Sequence, residues 1–397
     1  VISRRGFCFA AVASGAAISV VAKAIAADNS AAVTSQGEVD SLVAAAQAEG
    51  QLTVIGLPRD WCNYGAVIDG FKAKYGLTVH EVQPYIGSDK QIEALKAARS
   101  RMGPAMPDFI DVGMAFAASA KQDGLLMPYR AQSSQAVPEN AKDAQGYWSC
   151  SYYGVLAFEV NANLIRKIPL DWAELAAPEY RNSVALAGDL ASNQAIMSVF
   201  AAGLSAANGT SEKAAEHGLS FFADLVRKGN FVPEVGDAKS LVDGRTPIIL
   251  RWDHLALADR DRLKGTTAIE VVRPRTGVLA GMYAQAISAF APHPNAARLW
   301  MEYLGSDEVQ LMWFGSHCRP TRIAGLLYDR NGPSAGRDSP LSAEPDEPVF
   351  PTLEEQEKAR ATITKGWDDI VGVKVKCAPP EQDLSPMSLN QAQHSNT

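Results

Sequence analysis

This chain lacks a surplus of positive charge: 37 Lys and Arg stand against 44 Asp and Glu, a formal charge of −7. Neutralising phosphates needs the opposite balance, so nucleic acid is excluded as a partner. Also missing are the short patterns of common catalysis. There is no HExxH, no GxSxG elbow, no Walker or GxGxxG phosphate loop and no CxxC. The six histidines are scattered, and the nearest approach to a catalytic dyad is Asp253-His254. In a strand such neighbours point apart, so no enzyme is expected. No fixed-period repeat exists. The one long apolar stretch, Cys8 to Val21, is too short and too rich in Ala, Gly and Ser to span a bilayer comfortably.

What is present begins with a charged start, Ser3-Arg4-Arg5-Gly6-Phe7, followed by that stretch and by Ala22-Lys23-Ala24-Ile25-Ala26-Ala27. Paired arginines, an apolar middle and small-residue exits read as a twin-arginine (Tat) signal peptide over residues 1–27. Lys23 hinders the Sec route more than the Tat route. Cys8 lacks the preceding residues of a lipoprotein signal, so a soluble periplasmic protein is expected. Four cysteines then remain, Cys62, Cys150, Cys318 and Cys377, with three full pairings open. One disulfide or buried thiols are expected rather than a metal.

With 397 residues and 47% hydrophobic residues, the chain is long enough for two lobes. Val39–Glu49 has helical spacing, and Gln51–Leu57 is a buried strand ending in Gly and Pro. Helix, strand, helix and strand follow to Val112, the rhythm of a parallel sheet with helices on its faces. Tyr147–Val160 is aromatic and extended, a path out of the first lobe. The α/β rhythm restarts beyond it, with strands at Ser183–Leu186, Pro247–Trp252 and Ile269–Pro274. Gly281–Ala291 reads as a return path, and Leu353–Val371 as a final helix. The expected division is 48–157 with 276–305 as one α/β lobe and 158–275 with 306–376 as the other. Residues 377–397 form a polar tail expected to be disordered. Two separately cored lobes would face each other across a ligand cleft.

In order along the chain come "FKAKYGLTVHEV", "PDFIDVG", "KQDGLLMPY", "YYGVLAFEVN", "DWAELAAPEYRNSVALAGD", "GRTPIILRWD" and "HPNAARLWMEYLGSDEVQ". With the export signal before it, this set resembles the extracellular solute-binding protein family of ABC importers, in the polyamine-, iron- and phosphonate-type group. The resemblance implies a type II periplasmic-binding-protein fold with extended crossover strands. It also implies capture of a small solute by hinge closure, delivery to a membrane permease with its ATPase, no cofactor, and a monomer.

The expected ligand contacts are strand ends and helix starts on the cleft. Asp60 and Trp61 follow the first strand, where an indole beside a carboxylate suits an ammonium group. Ser88 and the Ser192-Asn193 pair open helices whose free N–H groups suit an anion, or simply cap them. Arg251 ends a strand and can grip an anion or pair with Asp253. By the resemblance to polyamine-type relatives, Trp252 and Asp253 are contacts, replaceable without loss of fold; Tyr283 on the return path is a weaker one. Together they suit an amine-containing or zwitterionic solute: a polyamine, an aminophosphonate or an amino-acid-like molecule. Two facing helix starts would favour a carboxylate or phosphonate. The alternatives are a ferric-ion-binding protein, for which Tyr152-Tyr153 is the tyrosine pair to consider (packing being the stronger reading), and an exported enzyme with unrecognised residues.

Overall fold

The structure is a computed structural model that describes residues 35–101, 103, 106–207, 209–322 and 348–376. The signal segment and the polar tail lie outside them. Helix α1 (Gln36–Glu49) starts with a capping box between Ser35 and Glu38 and stops at Gly50, whose φ of 75° suits glycine. Strand β1 (Gln51–Ile55), α2 (Tyr64–Tyr75), β2 (Thr78–Val82), α3 (Ser88–Ser100), β3 (Phe109–Gly113) and α4 (Met114–Gln122) follow. β1 lies between β2 and β3, parallel to both. This is the rhythm expected from the apolar runs. Helix α4 was not expected, because its Ala-rich sequence shows little amphipathic period; six of its nine residues are buried.

After the short β4 (Leu126–Met127) comes β5 (Ser149–Asn161), the long strand that joins the halves. Then follow β6 (Val184–Leu186), α5 (Asn193–Ala206), α6 (Ala214–Lys228), α7 (Ala238–Val242), β7 (Ile248–Trp252), α8 (Asp253–Arg262), β8 (Ile269–Val272) and β9 (Ala280–Ser288). The first part of β5 pairs antiparallel with β9, and its last part with β7 and β8. The sheet order is β2-β1-β3-β9-β5-β7-β6, so β5 and β9 are the extended crossings.

The chain ends in α9 (Pro294–Leu304), α10 (Asp307–Gly315), β10 (Arg319–Pro320) and α11 (Leu353–Ile370). Two expectations about this region change. α10 packs against α2 and α9, in the first half rather than the second; Trp313 touches Tyr64, and Glu308 pairs with Lys74. α11 lies against α4 of the first half and α5 and α6 of the second, with Trp367 on Phe222 and Arg360 over Phe116. Nor are the cores separate. One buried cluster runs from Leu52 and Phe109 through Tyr152, Tyr283 and Trp252 to Phe222 and Trp367. Aromatic rings fill the expected gap, because large side chains at the crossings reach both halves.

Candidate functional site

The junction is built from the ends of strands. From the first half come Trp61 after β1, Gly87-Ser88 after β2 and Gly113 at the end of β3. From the second come Ala191 to Asn193 after β6, and Trp252 to His254 after β7. Tyr152 of β5 and Tyr283 of β9 stand between them. The halves touch closely here. A methyl group on Gly113 would overlap the Asn193 side chain, and one on Gly87 would lie 3.2 Å from the Ala191 carbonyl. The starts of α3 and α5 therefore meet, and both leave N–H groups without helical partners. Asn193 is buried, with its side chain against Gly113 and within reach of the Tyr283 hydroxyl.

The rings interlock. Trp61 Nε1 donates to Tyr152 Oη at 2.8 Å, and Trp252 Nε1 to Tyr283 Oη at 3.0 Å. Tyr152 and Tyr283 stack with planes 9° apart, and Trp61 meets Tyr283 edge-on at 5.1 Å. Gly281 is required beside them, since any Cβ there would overlap the Trp252 ring. Beneath, Tyr64 and Tyr152 both donate to Asp111 Oδ2, at 2.5 and 2.8 Å. Among the described residues no cation faces Asp111, and burial pushes its carboxyl up to about 6 despite these donors.

The charged residues expected in the cleft are otherwise engaged. Strand β7 ends at Trp252, so Asp253 and His254 open α8 rather than alternating along a strand. Asp253 is fully buried. Arg319 donates to both of its oxygens at 2.9 and 2.8 Å, and Arg273 Nε to Oδ2 at 2.9 Å. Burial raises its pKa, but the two guanidinium groups outweigh that and hold it at about 2. It is an anchor for two arginines and does not present a free carboxylate to an amine. Arg251 likewise donates to Glu159 at 2.9 Å and Asp259 at 2.7 Å. Asp60 is exposed at the rim of its loop and caps nothing through its side chain. Ser88 Oγ accepts from Gly113 N at 3.2 Å, and Ser192 makes no side-chain cap. The structure therefore gathers Trp61, Ser88, Asn193, Trp252 and Tyr283 around one point. It leaves Asp60 outside and assigns Arg251 and Asp253 to ion pairs.

Sequence reading passed over Gln194, Arg273 and Arg319, and weighed His254 only as a dyad partner of Asp253. Gln194 accepts from Trp252 N at 2.7 Å and donates to Ala187 O at 3.0 Å, locking β7 to the start of α5. Arg319 lies 66 residues from Asp253, and no local pattern announces the pair. Tyr152 and Tyr153 point to opposite sides of β5. Tyr152 enters the junction, whereas Tyr153 meets Arg319 and Phe350. The two phenols do not form one ligand set. A cavity of about 340 Å³ lined by Tyr129, Lys142, Ser151 and Arg322 lies in the first half, and none of the nine expected contacts lines it.

Cys62 and Cys318 form a disulfide, Cys150 is a buried free thiol, and Cys377 lies outside the described residues. Among the described residues, no helix is long and apolar enough to cross a membrane.

A family model described as bacterial extracellular solute-binding protein matches residues 105–331. No curated protein sequence matches significantly. Solved structures share the fold at low identity. Iron-bound HitA from Pseudomonas aeruginosa has a TM-score of 0.61 and 16% identity, covering 81% of this chain and 99% of its own. The periplasmic binding protein AfuA from Actinobacillus pleuropneumoniae, with fructose-6-phosphate bound, has a TM-score of 0.63 at 18% identity over 81% and 99%. A putative spermidine/putrescine ABC transporter protein from Listeria monocytogenes has a TM-score of 0.60 at 14% identity over 80% and 98%. These neighbours are periplasmic binding proteins of the type II fold.

Proposed function

The chain belongs to the bacterial extracellular solute-binding protein family, and from that premise we propose that it captures a small solute bearing a carboxylate, phosphonate or phosphate group. Members of this family are binding components of ABC importers and not enzymes, and they work with a membrane permease and its ATPase. The observation carrying the anionic reading is the meeting of the α3 and α5 starts across the junction, with the buried Asn193 at the first turn of α5. Free N–H groups with positive helix ends favour an anion. The amine reading loses both of its carboxylates at this point, since Asp253 is neutralised by Arg319 and Arg273 and Asp60 stands exposed at its loop rim. A sugar phosphate in the AfuA structure accords with an anion on this fold, while HitA carries iron. Trp61, Trp252 and Tyr283 supply ring faces for the rest of the solute, bound as the halves shift about β5 and β9. Export through the Tat route by residues 1–27 completes the reading.

A thermal-unfolding screen over carboxylates, phosphonates, sugar phosphates, polyamines and ferric citrate tests it, because a ligand stabilises the folded state by mass action. At a hundred times Kd an anionic solute adds about 2.7 kcal/mol, a rise of several degrees. A rise with polyamines or ferric salts alone overturns the proposal, and the second outcome makes this a ferric carrier.

A further inference from the structure

His254 is a group the solute site does not use. It is fully buried at the start of α8, and neither ring nitrogen makes a hydrogen bond with any described residue. Leaving both polar atoms of a buried imidazole unpaired costs stability, and proteins rarely do so without a use for them. Trp61 stands edge-on at 5.6 Å, and a Cβ at Gly154 would lie 2.7 Å from Nδ1, so the ring is held in place. Beside it is the Cys62–Cys318 disulfide. One ligand atom from each of the three residues lies within 4.8 Å of the others, and all three are buried. The backbone around the bridge is unusual as well. Cys62, Asn63 and His317 have φ of 45°, 60° and 65°, three of the five non-glycine residues with positive φ among those described.

We propose that Cys62, Cys318 and His254 form a site for a thiophilic divalent cation of the zinc type, open only when the disulfide is reduced, that pins the two halves together. Two cysteine sulfurs and one imidazole nitrogen are three of the four ligands zinc takes in tetrahedral sites, with a fourth position left for water or solute. With bonds of about 2.3 Å to sulfur and 2.0–2.1 Å to nitrogen, a tetrahedral ion requires the two sulfurs, freed by reduction, to move apart to roughly 3.7 Å while the imidazole nitrogen, now within 4.8 Å, closes on the ion. Cys62 belongs to the loop before α2 and Cys318 follows α10, both in the first half, whereas His254 belongs to the second. A shared ion would therefore bridge the junction. In the oxidised bridge each sulfur is spent in the S–S bond and offers no thiolate.

The chemistry balances with a dithiol as reductant. Its thiolate attacks one sulfur to give a mixed disulfide, and its second thiol resolves that bond. Two electrons thus enter the bridge, two protein thiols form, and the reductant leaves as its own disulfide. Binding the cation then releases two protons from the thiols to solvent, and His254 contributes a nitrogen lone pair.

The test is an anaerobic titration of the full chain with cobalt(II) alone, after reduction with a phosphine, and without any solute. One equivalent should bind with thiolate-to-cobalt charge-transfer absorption, and zinc(II) should displace it. The oxidised protein should show no such band. Cys62→Ser should abolish the band, and His254→Phe, which keeps a ring in the space, should weaken binding at least tenfold. Zinc should raise the unfolding temperature of the reduced protein and leave the oxidised protein unmoved. A reduced protein with no band overturns the proposal, as does a band that survives Cys62→Ser or an affinity unchanged by His254→Phe. If His254→Phe does not fold, the wild-type comparison of oxidised and reduced forms decides. The solute screen is a separate experiment, so either reading can fail alone.

Discussion

At the scale of single residues, Asp253 shows how a cleft carboxylate becomes a keystone. Its four acceptor bonds come from Val155 N, Arg319 twice and Arg273. Asp253→Ala would remove the buried carboxylate that both Arg319 and Arg273 grip. Breaking one partner of a buried pair costs about 3–5 kcal/mol. Urea unfolding of the solute-free variant should show that loss, against the sequence expectation of a neutral change. Asp111 gives the opposite pH signature. Its folded pKa of about 6 lies above the ordinary carboxylate value of 3.8. Its contribution is therefore fully present below about pH 4 and is lost as the pH rises through 6. Between pH 3 and 7 the stability advantage of the wild type over Asp111→Asn should fall by about 3 kcal/mol, read from unfolding at each pH.

At the scale of elements, the starts of α3 and α5 meet because glycine and a small turn let them approach. Gly113 has φ −56° and ψ 144°, a conformation alanine also adopts, so only the contact with Asn193 distinguishes the two residues. Gly113→Ala should therefore cost the solute-free protein about 1–3 kcal/mol of stability through that overlap alone, seen as a lower unfolding midpoint. It should weaken capture of the solute found in the screen at least tenfold, by calorimetry, because the added methyl holds the halves apart. Unchanged affinity would mean that the two helix starts do not act together on the solute. Much of this scale is legible in the sequence. Strands β1, β3 and β7 are apolar runs, and α1, α2 and α11 carry helical spacing with caps or stop signals at their ends. Helices α4 and α8 are not legible. α4 is built of small residues, most of them buried, so it shows no polar face, and α8 starts immediately after a strand with no turn residue between.

At the scale of the whole molecule, ties distant in sequence hold the assembly. The Cys62–Cys318 bridge joins residues separated by 256 positions, across all of the second half. Disulfides that close long loops stabilise chiefly by restricting the unfolded chain, typically by 2–4 kcal/mol. The double variant Cys62→Ser/Cys318→Ser should lose about that much in denaturant unfolding under oxidising conditions. Helix α11 is a second tie, lying on both halves, and α10 returns to the first half after the chain has left the second.

By itself the sequence determined the alternation of strands and helices, the two extended crossings and the family. Those depend on periodicity and on motifs that each occupy a few consecutive residues. Only the tertiary structure decided which charges are available, which cysteines pair, and that aromatic rings close the gap. Asp253 and Arg319, Cys62 and Cys318, and Gly113 and Asn193 are each partnered by packing across distant segments, and nothing in the residues adjacent to any of them encodes the other.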